Sequence, residues 1–218
     1  MSASFASAGY WEARYRSGGT SGAGSRGRLL AYKTALVNAL IEDNRIGSVI
    51  DLGCGDGALL GGLAVATYTG LDVAPTTLAR CAARFADRPG WRFLPLAAAA
   101  AAPMAELGLS LDVIFHLTED DAYAAHLALL FARASRLVAI YASNAEQSWP
   151  ARHVRHRRFT ADVAATQPGW RLLAHLPNPC PYDPAREQDT SFADFFVYGR
   201  AGDGIDDAGC VIRLPRLP

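Results

Sequence analysis

Ser48-Val-Ile-Asp-Leu-Gly-Cys-Gly-Asp-Gly57 is an apolar run that ends in an acid and then in alternating glycines. Val49, Ile50 and Leu52 are too few for a helix and meet turn residues at once, so they predict a short buried strand. Gly53 and Gly55 lack a β-carbon, which lets the chain turn sharply and lets a ligand lie against bare main chain. A helix is expected from Ala58, its N-terminus aimed at that ligand. A strand feeding such a loop marks a nucleotide or nucleoside pocket.

Gly53-x-Gly55-x-x-Ala58 also satisfies the fingerprint of nicotinamide and flavin enzymes, so the loop leaves the cofactor open. Two details favour S-adenosylmethionine. Gly57 supplies a third alternating glycine, and Asp51 ends the strand where a carboxylate faces an ammonium rather than repelling a pyrophosphate. A second strand, Tyr68-Thr-Gly-Leu-Asp72, ends in an acid about twenty residues downstream, as expected of a partner for ribose hydroxyls.

VIDLGCGDG, YTGLDV and LGLSLDVIFHLTED, in that order, resemble the successive nucleoside-binding motifs of class I S-adenosylmethionine-dependent methyltransferases over residues 10 to 200. The resemblance implies a single Rossmann-like, doubly wound α/β sheet, mostly parallel with an antiparallel C-terminal strand, and S-adenosyl-L-methionine as cofactor. It implies cofactor contacts from Asp51, Gly53, Cys54, Gly55, Gly57, Asp72, Val73, Ser110, Leu111 and Asp112. Relatives often carry an acid for the adenine amino group after the third strand. This chain has Leu96 and alanines there, which leaves main chain or Asp87 for that contact.

With 218 residues the chain holds one sizeable core. Lys+Arg and Asp+Glu are both 21, so the net field gives no reason to expect nucleic acid or an anionic membrane as partner. Cys54, Cys81, Cys180 and Cys210 form no CxxC pair, and neither zinc nor a disulfide framework is expected. The first residues lack a signal-peptide core and no run is apolar enough to span a bilayer, so a cytoplasmic protein is expected.

Residues 1–28 are expected to be a lid or a flexible leader; Tyr10, Trp11 and Tyr15 are aromatics that need burial, and the resemblance makes Tyr10 and Trp11 cofactor contacts. The domain proper is expected over 29–200 and a mobile tail over 201–218. Leu29, Leu36, Val37, Leu40 and Ile41 fall at helical spacing before the first strand. Further strands are expected at Trp91–Leu94, Leu107–Asp112, Leu137–Tyr141, Trp170–Leu176 and Phe192–Tyr198. The helices between the earlier ones make parallel βαβ units. Thr118 with Asp121 reads as a capping box, and Thr160 as the cap of a short helix.

Methyl transfer asks the protein mainly for alignment, plus a base where the acceptor is a hydroxyl. His116, just past the fourth strand, is a candidate base or a buried structural histidine, with Asp112 to orient it; His153 is a further catalytic candidate. The run His153-Val-Arg-His-Arg-Arg158 reads as a solvated charge run or as a patch for an anionic acceptor, through Arg155, His156 and Arg158. Asn144 lies past the fifth strand in a Ser-Asn pair, not in the D/N-P-P-Y/F motif of amino-group methyltransferases, so it joins the substrate candidates and oxygen is the expected acceptor. The whole pattern is similar to bacterial methyltransferases of surface-polysaccharide and secondary-metabolite pathways, implying a sugar, nucleotide-sugar or secondary-metabolite acceptor. An RNA methyltransferase, a nicotinamide-dependent oxidoreductase and a catalytically silent cofactor-binding domain stand as alternatives.

Overall fold

β1 (Ser48–Leu52) carries the apolar run of the opening stretch, with Ile50 and Leu52 fully buried as residues of a central strand are. The computed structural model of the protein describes residues 5–201; the tail expected beyond residue 201 lies outside the described residues. The other strands are β2 (Thr67–Asp72), β3 (Trp91–Pro95), β4 (Ala105–Leu111), β5 (Ala134–Ala142), β6 (Trp170–Leu176) and β7 (Asp194–Arg200), in one sheet ordered β3-β2-β1-β4-β5-β7-β6. The pairs from β3 across to β5 are parallel, whereas β7 runs antiparallel to both β5 and β6. This is the expected α/β architecture. The order reverses beside β1, whose two neighbours are β2 and β4, and in open α/β sheets a crevice lies beyond the strand ends at such a point.

The helices are α1 (Ser7–Arg16), α2 (Gly27–Asp43), α3 (Pro75–Arg84), α4 (Asp120–Arg133) and α5 (Phe159–Thr166). On α2 the buried positions are Leu29, Tyr32, Lys33, Leu36, Val37, Leu40 and Ile41, a single stripe at helical period that contains one lysine. Pro75 opens α3 at its first turn, where a missing N–H removes no helical bond. Among the described residues no helix is long and apolar enough to cross a membrane.

Three local expectations are corrected. The helix after the glycine loop is a four-residue 3-10 turn, Leu59–Gly62, whose second half is the poor helix former pair Gly61-Gly62; it is too short to present a dipole to a ligand. The capping box of Thr118 does not form. Helix α4 starts at Asp120, so Glu119 takes the N-cap position, and the Thr118 hydroxyl donates to Glu119 Oε2 at 3.3 Å. Thr160 lies within α5 rather than before it, and its N–H is met by Asn144 Oδ1 at 3.2 Å.

Candidate functional site

The glycine loop leaves β1 with Gly53, Gly55 and Gly57 at φ of 96°, 54° and 68°, all left-handed. A β-carbon on Gly53 would stand 2.5 Å from Val113 Cγ2, and one on Gly55 2.5 Å from Ser21 Oγ. Gly57 faces the interior instead, its missing β-carbon 2.8 Å from Cys81 Sγ, so it packs the loop on α3 and does not line the crevice. Asp72, at the end of β2, accepts from the Gly55 N–H at Oδ2 and from the Ala74 N–H at Oδ1, both at 2.9 Å. It thereby ties the loop to the second strand. Burial raises its pKa against the pull of those amides.

Asp51 is the deepest acid of the crevice. Tyr68 donates its hydroxyl to Oδ2 at 2.8 Å, while Oδ1 has no hydrogen-bond partner among the described residues. Burial, and next the charge of Asp72, push its pKa up to about 7 against the Tyr68 bond. Between 3.8, its ordinary value, and about 7 the folded chain holds a proton that the unfolded chain has released. Stability therefore falls as pH rises through that window and is level above it. Asp51→Asn is expected to unfold at a higher temperature than the parent at pH 8 and to converge with it by pH 4; thermal melts across that range check this, and parallel curves would refute it.

Lys33, from the buried stripe of α2, reaches the same crevice and pairs with Asp112 just past β4. Its side chain is 4% exposed, and its ammonium also stands 5.2 Å from the Tyr141 ring centre. Asp112 holds a left-handed backbone at φ 59°, a conformation in which aspartate is one of the few tolerated side chains. Ser110 does not line the crevice itself, but its hydroxyl lies 2.9 Å from Nε2 of His126, which does. Val73, Leu96, Leu111 and Cys54 line the crevice; Asp87 is exposed and does not.

Helix α1 and the segment after it lie over the loop. Ser7 donates through N–H and hydroxyl to Glu119 Oε1 at 2.8 and 3.1 Å, and Glu12 accepts from the Thr76 hydroxyl at 2.7 Å. The Ser21 N–H donates to Asp56 Oδ2, and Asp56 returns its own N–H to Ser21 Oγ, both at 3.0 Å. Tyr15 OH lies 2.9 Å from that same Ser21 oxygen. Trp11, Tyr15 and Ser21 thus roof the crevice.

A second cavity adjoins the first and shares Trp11, Ser21, Asp112 and His116 with it. Tyr10 and His153 line this second cavity and not the crevice. The ring of His116 stands edge-on to Trp11 at 4.9 Å and stacks on His153 at 5.4 Å, and its Nδ1 donates to the His153 carbonyl at 2.9 Å. Nε2 is therefore the acceptor nitrogen of a neutral ring. Burial lowers the His116 pKa to about 4; the bond to the His153 carbonyl and the charge of Asp112 oppose this, while His153 and Arg14 add to it. The three catalytic candidates, His116, Asp112 and His153, thus come together at the junction.

The substrate candidates do not join them. Arg155 pairs with Asp120 at 2.9 Å, and Arg157 donates to the carbonyls of Leu117 and Thr118, holding the run against the start of α4. Arg158 is exposed at the N-cap of α5. His156 is buried, 2.6 Å from the Ser143 hydroxyl, and Asn144 satisfies the first turn of α5. None of the four lines either cavity.

No protein-family model matches the sequence, and no curated protein does. Solved structures do match. A magnesium protoporphyrin IX methyltransferase (ChlM) from Synechocystis PCC 6803, with bound SAM, has 16% identity and a TM-score of 0.62, covering 92% of this chain and 100% of that one. The N-methyltransferase NodS from Bradyrhizobium japonicum WM9, in complex with S-adenosyl-l-homocysteine, has 13% identity and a TM-score of 0.62 over 81% and 89%. The methyltransferase domain of bacterial CtHen1-C has 20% identity and a TM-score of 0.59 over 78% and 97%. The chain has the class I methyltransferase fold.

Within that methyltransferase fold, Lys33 is the site residue that sequence reasoning passes over. Its signal was legible, since a lysine at a core position of an otherwise apolar stripe needs a buried partner. Asp56, His126 and the bridging Ser21 had no such signal, because each acts through a partner far along the chain.

Proposed function

We propose that the chain is a methyltransferase that binds S-adenosyl-L-methionine in the first crevice and methylates oxygen of a small molecule held in the second cavity. The observation that carries this reading is the buried, unpartnered Oδ1 of Asp51 beside a glycine loop whose missing β-carbons keep the crevice open. A free acceptor in a buried carboxylate suits an ammonium donor, so the residues fit the cofactor. Asp51 would hold its ammonium and Asp72 its ribose hydroxyls, with Val73 and Leu96 flanking the base and Trp11 and Tyr15 closing over it. When bound, S-adenosylmethionine supplies a methyl carbon whose bond to sulfur breaks, the electron pair returning to sulfur, as an acceptor oxygen bonds to that carbon. His116 takes the hydroxyl proton at Nε2, and Lys33 holds the Asp112 carboxylate at the junction. The arginine run, fastened to α4, gives no support to an anionic or nucleic-acid partner; of the lining side chains of the second cavity, Arg14 is the cation.

Calorimetry with S-adenosylhomocysteine against NAD tests the cofactor. Tight binding of the former with none of the latter is expected, and the reverse would sink the proposal. If Asp51 meets the ammonium, binding at pH 6 releases a proton, the affinity rises towards pH 8, and Asp51→Asn loses both effects.

His116→Gln is expected to lower kcat by about 10²- to 10⁴-fold with little change in S-adenosylhomocysteine affinity. Because the ring is neutral above about pH 4, the parent kcat at saturating cofactor should stay level from pH 8 to 5. A fall centred near pH 6.5, the value of an exposed histidine, would remove His116 as the base.

A further inference from the structure

We infer that the second cavity is a binding site for a flat aromatic alcohol rather than for a sugar. This rests on the reading of the first crevice as the cofactor site, since it names the acceptor that would share it.

One wall is a column of near-parallel rings. Tyr10 stacks on His153 with centres 5.0 Å apart and planes 15° off parallel, and His153 stacks in turn on His116. Joined to it through Phe115, 4.5 Å from His116, is an edge-to-face cluster in which Trp149 meets Tyr182 at 5.2 Å and Phe192 at 5.3 Å, with Phe115 against Phe192 at 5.0 Å. Aromatic faces and edges of this kind favour an aryl guest through offset and perpendicular contacts.

A sugar also packs on aromatic faces, but it brings many hydroxyls that must find partners once buried. Several of the polar side chains here are already committed. Arg14 Nε donates to the Thr20 carbonyl at 2.7 Å, and Glu187 accepts from the Tyr182 hydroxyl at 2.9 Å. The Thr190 hydroxyl donates to the Arg186 carbonyl at 2.8 Å and accepts from the Asp183 N–H at 3.1 Å, and Ser191 Oγ accepts from the Ala193 N–H at 3.1 Å. Asp112 is paired with Lys33. At the junction the acceptor nitrogen of His116 stays open, and among the described residues no hydrogen bond engages the Tyr10 hydroxyl or the Gln188 amide further out. The open acceptor shared by both cavities suits a hydroxyl on a flat ring system, placed where the two meet.

The test uses the full chain, with S-adenosylhomocysteine, 2-naphthol, cyclohexanol and methyl β-glucoside titrated separately, and the last three also with S-adenosylhomocysteine present. Binding is followed by calorimetry and by tryptophan fluorescence. The expected result is that 2-naphthol binds and the other two alcohols bind at least about tenfold more weakly, with Trp149→Ala weakening 2-naphthol about tenfold and leaving S-adenosylhomocysteine affinity unchanged. Tyr182→Ala, on the other side chain of the same cluster, gives the same readout should the tryptophan variant fail to fold. Glucoside binding as tight as 2-naphthol overturns the inference, as does 2-naphthol binding that neither variant alters, or none at all while S-adenosylhomocysteine binds. Failure of S-adenosylhomocysteine alone would refute the cofactor reading, and the 2-naphthol titration with its two variants would still decide the second cavity.

Discussion

Asp112→Asn is expected to destabilise the folded chain at pH 7 by about 3–5 kcal/mol, the usual penalty for leaving a buried charge without its partner. Lys33 is the charge in question, its side chain 4% exposed against 16% for Asp112. Asparagine tolerates the left-handed backbone that Asp112 adopts at φ 59°, so the change reads the ion pair rather than the turn. Urea melts at pH 7 check this. Lys33→Met is expected to cost less, since Asp112 keeps some contact with water, and Lys33→Met with Asp112→Asn should recover most of the loss. A double variant as unstable as the worse single one would show that the pair is not the cause.

Gly55→Ala is the change expected to damage the proposed cofactor site most. At φ 54° an alanine is strained by about 1–2 kcal/mol. Its β-carbon would also stand 2.5 Å from Ser21 Oγ and 3.1 Å from Tyr15 OH. Ser21 is the bridge between the glycine loop and the roof, bonded to Asp56 through both N–H and hydroxyl. Displacing it loses hydrogen bonds that contribute about 0.5–1.5 kcal/mol each. The sum, about 2–4 kcal/mol, corresponds to a fall in S-adenosylhomocysteine affinity on the order of a hundredfold, because binding must restore the loop. Proteolysis and amide exchange should show α1 losing protection at the same time. Adding Ser21→Ala relieves the closest contact while leaving the backbone strain, so the double variant should regain part of the affinity. An unchanged affinity in Gly55→Ala would mean that the loop does not face the ligand.

Much of the frame was legible in the residues. Val49 to Leu52 could only be a buried strand, and the glycines after it do adopt the left-handed turn that their lack of a β-carbon allows. Gly57 shows where such reading stops, since the same spacing that placed it with Gly53 and Gly55 says nothing about which way the chain faces once turned. The acidic run at Glu119 to Asp121 does start a helix, with Asp120 and Asp121 in the first turn of α4, but its partners were not legible: Glu119 serves the first turn of a different helix, α1, and Asp120 serves Arg155 and Arg157. In the densest positive run of the chain, Arg155 and Arg157 are held by Asp120 while Arg158 stays exposed at α5, and none of the three lines either cavity.

The antiparallel close of the sheet was implied by the resemblance, while the sequence by itself determined the alternation of strands and helices and the glycine loop after β1. Those follow from periodicity and backbone freedom, which act over a few residues and can be read in place. The tertiary structure alone decided the site's charge and shape: Lys33 against Asp112 across 79 positions, the fastening of Ser7 to Glu119 across 112, and a ring column assembled from Tyr10, His116 and His153. Pairings of that kind depend on which surfaces the folded sheet brings together. Nothing in the spacing of residues along the chain encodes them.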